Sequence, residues 1–316
     1  MRDRQIILLL ISLILIGCLY LAAGIIIVSA IIRRLRRSGA RNLSRPYIWP
    51  RRIVLGLALI GILLVAYAFI EPYRLEVTHI RIPSGKLGAG IGPIRIAQIS
   101  DLHCESFVRL EDRLPDVIAR EKPDLIVFTG DALNSPVGLP IFKRCMAQLP
   151  PIAPTFAVLG NWDEDEGDKS RLFDGTGVRV LDGETAQLHL RGADLWLGGA
   201  TMWQNRRSDE YLFRDAPPGA LKVFLYHIPP GGDYAAHARA DLVLAGHTHG
   251  GQVVLPFYGA LARFAGVDHK YVAGLFRVGG TWLYVNRGIG MEGNFPPVRF
   301  RSRPEVTIFD IVSGER

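Results

Sequence analysis

Cysteine is scarce in this chain of 316 residues: Cys18, Cys104 and Cys145 are all it has, with no CxxC pair and no zinc-ribbon spacing. A thiolate zinc module is thereby excluded. Cys104 and Cys145 read as buried free thiols, or as a disulfide pair if their surroundings are oxidising. Acid is nearly missing from residues 1–52, where Asp3 stands against ten Arg and no Lys. That segment carries +9 of an overall +7, so residues 53–316 sum to −2. A near-neutral remainder gives no support to a nucleic-acid groove, and no nucleic-acid partner is expected. Internal repeats and low-complexity tracts are also lacking, which excludes a solenoid or an array.

What the N-terminus has instead is apolar length. Residues 6–32 are uncharged, about 40 Å as a helix and longer than the ~30 Å hydrocarbon core of a bilayer. Residues 53–70 form a second uncharged run, just long enough to cross, closed by Glu71 and Pro72. Between them stand Arg33, Arg34, Arg36, Arg37, Arg41, Arg45, Arg51 and Arg52, with no acid. So basic a short loop belongs on the cytoplasmic side, which places everything after Glu71 outside the cytoplasm. Three other readings compete. A cleaved signal peptide is disfavoured because the first run continues past Ala22 and Ala23. Leu15-Ile16-Gly17-Cys18 looks like a lipoprotein box, but the residues after it stay apolar. If residues 53–70 were instead a buried or interfacial helix, the domain would return to the cytoplasmic side.

From Ile94 onward, short apolar runs alternate with turn signals and helical stretches. Strands are expected at 94–99, 125–128, 156–159, 188–190, 195–197, 223–226, 242–244, 252–255, 282–285 and 306–311. A helix is expected at 110–121 despite Pro115. The pattern predicts an α/β fold of two packed mixed β-sheets flanked by helices, with a membrane anchor at 1–71 and a globular domain at 72–316.

Five polar clusters close these runs: Asp101-Leu-His103, Gly-Asp131, Gly-Asn161-Trp-Asp163, Tyr-His227-Ile-Pro and Gly-His247-Thr-His249-Gly-Gly-Gln. Asp101 and His103 are two apart, as are His247 and His249, so a strand end can aim each pair at one ion. Carboxylates, imidazoles and an amide oxygen together suit Mn, Fe, Zn or Ni better than Ca. Asp131 could bridge two ions about 3.5 to 4 Å apart, the separation that orients a phosphoryl group and activates water. Singly, each cluster is ordinary turn or capping chemistry. Their joint order, each behind an apolar run, is what carries the reading. His79 and His189 receive no role, and His237 and His269 remain loop candidates for substrate contact.

That order resembles the calcineurin-like metallophosphoesterase superfamily over about residues 94–252. The Gly-Gly-Gln tail, Asn286-Arg287-Gly288-Ile289-Gly290 and Pro296-Pro297-Val298-Arg299-Phe300 look like its bacterial membrane-associated YkuE/YaeI-like subgroup. The resemblance implies an α/β/β/α sandwich holding two divalent metal ions, one on Asp101, His103, Asp131 and His249, the other on Asp131, Asn161, His227 and His247. It also implies cleavage of phosphodiester, phosphoanhydride or activated phosphomonoester bonds of a phosphate-containing small-molecule substrate; the two apolar runs and the arginine loop make the chain a two-pass protein of the bacterial cytoplasmic membrane, and that location alone points to a lipid or envelope phosphate. A non-catalytic metal-binding envelope protein and a cytoplasmic-facing lipid-linked nucleotide-sugar pyrophosphatase are the alternatives. One departure stands out: the family usually has His after the Gly-Asn pair, and here that position is Trp162, which cannot deliver a proton at neutral pH. Asp163 follows it, either as a catalytic acid, as in the family, or as a structural turn carboxylate.

Overall fold

The computed structural model describes residues 17–32, 48–88, 90–165, 170–201, 212–229, 239–261, 270–293 and 297–314. Two compact units divide at Ala68 and Phe69. The first contains α1 (Gly17–Ile32) and most of α2 (Ile48–Ile70). α2 starts ahead of the uncharged run and takes in Arg51 and Arg52. Leu57, Leu59, Ile62 and Leu63 all face outward, so α2 has no polar stripe to turn to water. Among the described residues one helix, Trp49–Tyr73, is long and apolar enough to cross a membrane. The described part of the first apolar run is shorter than a span, and the rest of residues 6–32, like most of the arginine loop, lies outside the described residues.

The second unit is built on strands that are apolar at nearly every position, because both of their faces are covered. The first sheet runs β1 (Glu76–Ser84), β14 (Glu305–Ser313), β2 (Ile94–Ile99), β3 (Leu125–Thr129), β4 (Thr155–Val158), β5 (Arg179–Val180). β2 to β5 are parallel, whereas β14 runs antiparallel to β2 and parallel to β1. The second sheet runs β12 (Gly274–Val278), β13 (Thr281–Val285), β9 (Leu242–Ala245), β8 (Leu221–Tyr226), β7 (Ala193–Ala200), β6 (Glu184–Leu190). Its interior is parallel from β13 to β7, with antiparallel edges.

Strand alternation sorts the side chains into layers. Ile96, Leu125, Val127, Val158, Leu197, Val223, Leu225, Leu242 and Leu244 fill the space between the sheets. Ala97, Ile99, Ile126, Phe128 and Ala157 point the other way, onto α3 (Leu114–Glu121) and α4 (Leu139–Met146) through Ile118, Phe142 and Met146. Phe224, Val243 and Ala245 form the outer layer of the second sheet with Phe213 and Tyr271. Pro115 falls in the first turn of α3, where its missing N–H costs nothing. The strand expected at 252–255 is shorter, β10 (Val254–Leu255), because Gln252 has φ 52° and cannot continue a ladder. It pairs as a hairpin with β11 (Gly259–Ala260). Cys104 and Cys145 are free and buried. Burial raises both thiols, Cys145 to about 12, so neither is a reactive thiolate.

Candidate metal centre

β2, β3, β4, β8 and β9 each end one to three residues before a predicted ligand: Asp101, Asp131, Asn161, His227 and His247. Carboxyl ends of parallel strands are where open α/β sheets gather their ligands. Two buried groups result, Asp101 with His103 and His249, and Asp131 with His227 and His247. Within each group, one donor atom from every residue lies within 4.8 Å of the others. Asp131 joins them: its Oδ2 is 3.1 Å from His227 Nε2 and 3.5 Å from His103 Nε2. Asn161 Oδ1 reaches to 3.1 Å from His227 Nε2. His249 Nε2 lies 3.1 Å from His103 Nε2 and 3.6 Å from Asp101 Oδ1. All seven sequence-predicted metal residues are therefore brought together. His189 stands apart, exposed and paired with Asp194, while His79 faces Glu121. His237 and His269 lie outside the described residues.

Backbone conformation marks the same set. Asp101, His103, Asp131, His247 and His249 account for five of the eleven non-glycine residues with positive φ among the described residues. For side chains this region is costly, and such strain concentrates at functional sites. The turns are also crowded. A Cβ at Gly160 would run into the Asp131 carboxylate, and one at Gly288 would come within 2.6 Å of Asp101 Cβ.

A shell of hydrogen bonds aims the ligands. His227 Nδ1 meets the Thr129 carbonyl at 2.6 Å; donating there, it leaves Nε2 as the ligating nitrogen. Asp101 accepts from the His247 backbone N–H at 3.0 and 3.1 Å. Asp163 turns away from the centre: its Oδ2 accepts from the Asp131 and Gly160 N–H groups (2.8 Å each) and its Oδ1 from Ala132 N–H (2.7 Å). The expectation of a catalytic Asp163 thus meets a carboxylate engaged in holding the Asp131 turn. Trp162 donates its backbone N–H to Asp131 Oδ1 (2.9 Å) and sets its indole edge-on to His103, 5.4 Å between ring centroids.

Arg299, Ser302 and Glu71 were given no chemical role by sequence reasoning, although Arg299 lies in a segment that carried the resemblance. Arg299 is fully buried, and its guanidinium donates to the carbonyls of Arg287, Gly288, Gly290 and Ser302 while one nitrogen approaches His249 Nδ1 at 3.3 Å. Ser302 Oγ donates to the His249 carbonyl (2.6 Å), and Ser302 N–H donates to buried Glu71 (2.6 Å). No local pattern announces such bonds, which join residues far apart in the chain.

Burial pushes His103 down to about 4, His247 down to about 3 and His249 well below the usual range, so these three rings are neutral. Burial acts the same way on His227, but Asp131 and Asp101 outweigh it and raise that ring to about 10, so a metal ion on Nε2 would have to displace a proton. In return His227, by its charge and its hydrogen bond, overcomes burial at Asp131 and keeps it ionised, at about 2. Burial and the neighbouring Asp131 charge push Asp101 and Asp163 up to about 7, against the pull of their N–H donors. Imidazoles and carboxylates that are buried, with the half-buried Asn161 amide oxygen beside them, are a donor set that fits a pair of borderline divalent ions. Bound there, such ions supply Lewis-acid activation of a phosphoryl group and of water.

Comparison with known proteins agrees with that chemistry. Residues 94–251 match the family described as calcineurin-like phosphoesterase. The chain is 29% identical over 267 residues to the metallophosphoesterase YkuE of Bacillus subtilis, covering 78% of this chain and 88% of the relative. It is 32% identical over 268 residues to the phosphodiesterase YaeI of Escherichia coli, covering 77% and 91%. To the UDP-2,3-diacylglucosamine pyrophosphatase LpxG of Chlamydia trachomatis it is 26% identical over 301 residues, covering 76% and 90%. The chain therefore belongs to the calcineurin-like phosphoesterases and is a hydrolase acting on phosphate esters.

Proposed function

We propose a membrane-tethered, dinuclear metal-dependent phosphoesterase that cleaves phosphodiester, phosphoanhydride or activated phosphomonoester bonds of envelope or lipid-linked substrates. The observation that carries this is the position of Asp131 Oδ2 between His103 and His227, where one carboxylate serves both ligand groups. Asp101, His103, Asp131 and His249 would hold one ion, and Asp131, Asn161, His227 and His247 the other. Mn, Fe, Zn and Ni all suit these donors. The chain's own residues fix the ligand atoms on strand ends, keep three imidazoles neutral and hold water away from the buried groups. Apolar α2 supports a tether, with the first apolar run as a second crossing, and the arginine loop supports a two-pass topology with the domain outside the cytoplasm. The lipid-linked substrate of LpxG, together with that tether, supports a lipid or envelope phosphate.

The test is hydrolysis by the metal-reconstituted protein across phosphomonoesters, diesters and pyrophosphates, run beside Asp131→Asn. Wild type should turn over at least one class. Asp131→Asn should lose bound metal, read by elemental analysis, together with activity. Full metal content in Asp131→Asn would overturn the bridging role, and an inactive, fully loaded wild type would favour the non-catalytic metal protein.

A further inference from the structure

The hairpin β10–β11 grows directly out of the metal loop. Two residues after His249 comes Gly251, whose α-carbon faces Ala260 so closely that a Cβ there would overlap the Ala260 methyl. Val254 N–H donates to the Phe300 carbonyl (2.8 Å), and Leu261 N–H to that of Val253 (2.8 Å). At the tip, residues 256–258 are Pro-Phe-Tyr, and Phe257 stands wholly exposed with φ 63°. A bulky residue in left-handed backbone is a rare and costly choice where Gly or Asn would serve. Tyr258 and Leu261 are exposed beside it. Apolar side chains held out in this way mark an interaction surface.

Its occupant follows from the chain's course. The apolar span Trp49–Tyr73 carries an exposed aromatic at each end, as helices do at bilayer boundaries. Glu71, just past the last residue of α2, is fixed to Ser302 N–H, close to Phe300, which bridges Val253 and accepts from Val254 N–H. Arg74 and Arg301 flank that junction and are exposed. An aromatic tip, an adjoining basic pair and a chain that leaves its apolar run at the same 300–302 segment fit a lipid surface bearing negative charge.

We propose that the 256–258 turn is an interfacial docking element that inserts Phe257 and Tyr258 into the anionic leaflet in which α2 ends, and so holds the metal loop against that leaflet. The inference rests on the proposed tether, and its test separates the two. The full chain, with Cys18→Ser and with Cys104 and Cys145 left buried, is placed in phosphatidylcholine vesicles containing phosphatidylglycerol. An environment-sensitive fluorophore is attached in turn through Phe257→Cys, Tyr258→Cys, Leu59→Cys and Asp215→Cys, and nitroxide-labelled lipid is the quencher. Tyr258→Cys leaves Phe257 in place, so loss of one anchor does not decide the result. Labels at 257, 258 and 59 should lose most of their emission, the label at 215 should keep it, and omission of phosphatidylglycerol should lessen the loss at 257 and 258. Quenching at 59 without quenching at 257 and 258 would overturn the docking and leave the tether standing. Absence of quenching at 59 would overturn both. Equal quenching at 257, 258 and 215 would mean general adsorption and would also overturn the docking.

Discussion

Both oxygens of Asp163 are taken by backbone N–H groups, whereas Asp131 presents an oxygen to two imidazoles. Their amide variants should therefore fail differently. Asp163→Asn sets an NH₂ against backbone donors and should cost about 1–3 kcal/mol of stability. At saturating metal it should keep wild-type metal content, seen by denaturant unfolding beside elemental analysis. Loss of metal from Asp163→Asn equal to that from Asp131→Asn would make Asp163 part of the centre. Trp162, edge-on to His103, makes the second contrast. Without an imidazole to protonate the departing oxygen, aryl esters and anhydrides should be cleaved faster than alkyl monoesters by about 10²–10⁴. Trp162→His should narrow that gap; a flat dependence on leaving-group pKa in wild type would assign the proton to another group. The ligands themselves were legible, since Asp and His behind apolar runs are unusual in combination. Their left-handed backbone was not, because only glycine advertises positive φ in sequence.

Strands buried on both faces gave clear signals: β2 falls at its expected limits, and β3, β4, β8 and β13 differ by a residue or two. β1 escaped notice because His79 and Arg81 interrupt its apolar pattern at an edge, where one flank stays open. α4 was hidden by a proline in its first turn, where the residue is tolerated. For α2, composition gives ability to cross but leaves direction to the arginine loop. A thiol introduced by Asp215→Cys, in a Cys18→Ser background, should react with a membrane-impermeant reagent from outside intact cells, the outer membrane being permeabilised where present. Labelling only after the inner membrane is opened would turn the domain to the cytoplasm and restore cytoplasmic lipid-linked substrates.

Taken whole, the molecule puts its basic charge at one end, +9 within residues 1–52, and leaves the hydrolase near neutrality. Attraction of acidic partners is thus a property of the N-terminal segment and not of the phosphoesterase domain. Sequence placed the border between the two at residues 71 and 72, yet Glu71 is wholly buried within the second unit and bonded to Ser302, whose hydroxyl supports His249. That bond bears on release by proteolysis. A cut before Phe69 would free a domain that keeps its carboxylate, and a cut after Glu71 would free one that has lost it and left a buried N–H unmet, at a cost of about 1–3 kcal/mol. Soluble fragments starting at Phe69 and at Pro72 should accordingly differ in thermal stability and in the metal concentration needed for half-loading, the shorter being worse in both. Equal behaviour would show Glu71 to be dispensable. If they differ as expected, a scission that released the enzyme from the proposed tether would also weaken it, and shedding would become a means of inactivation.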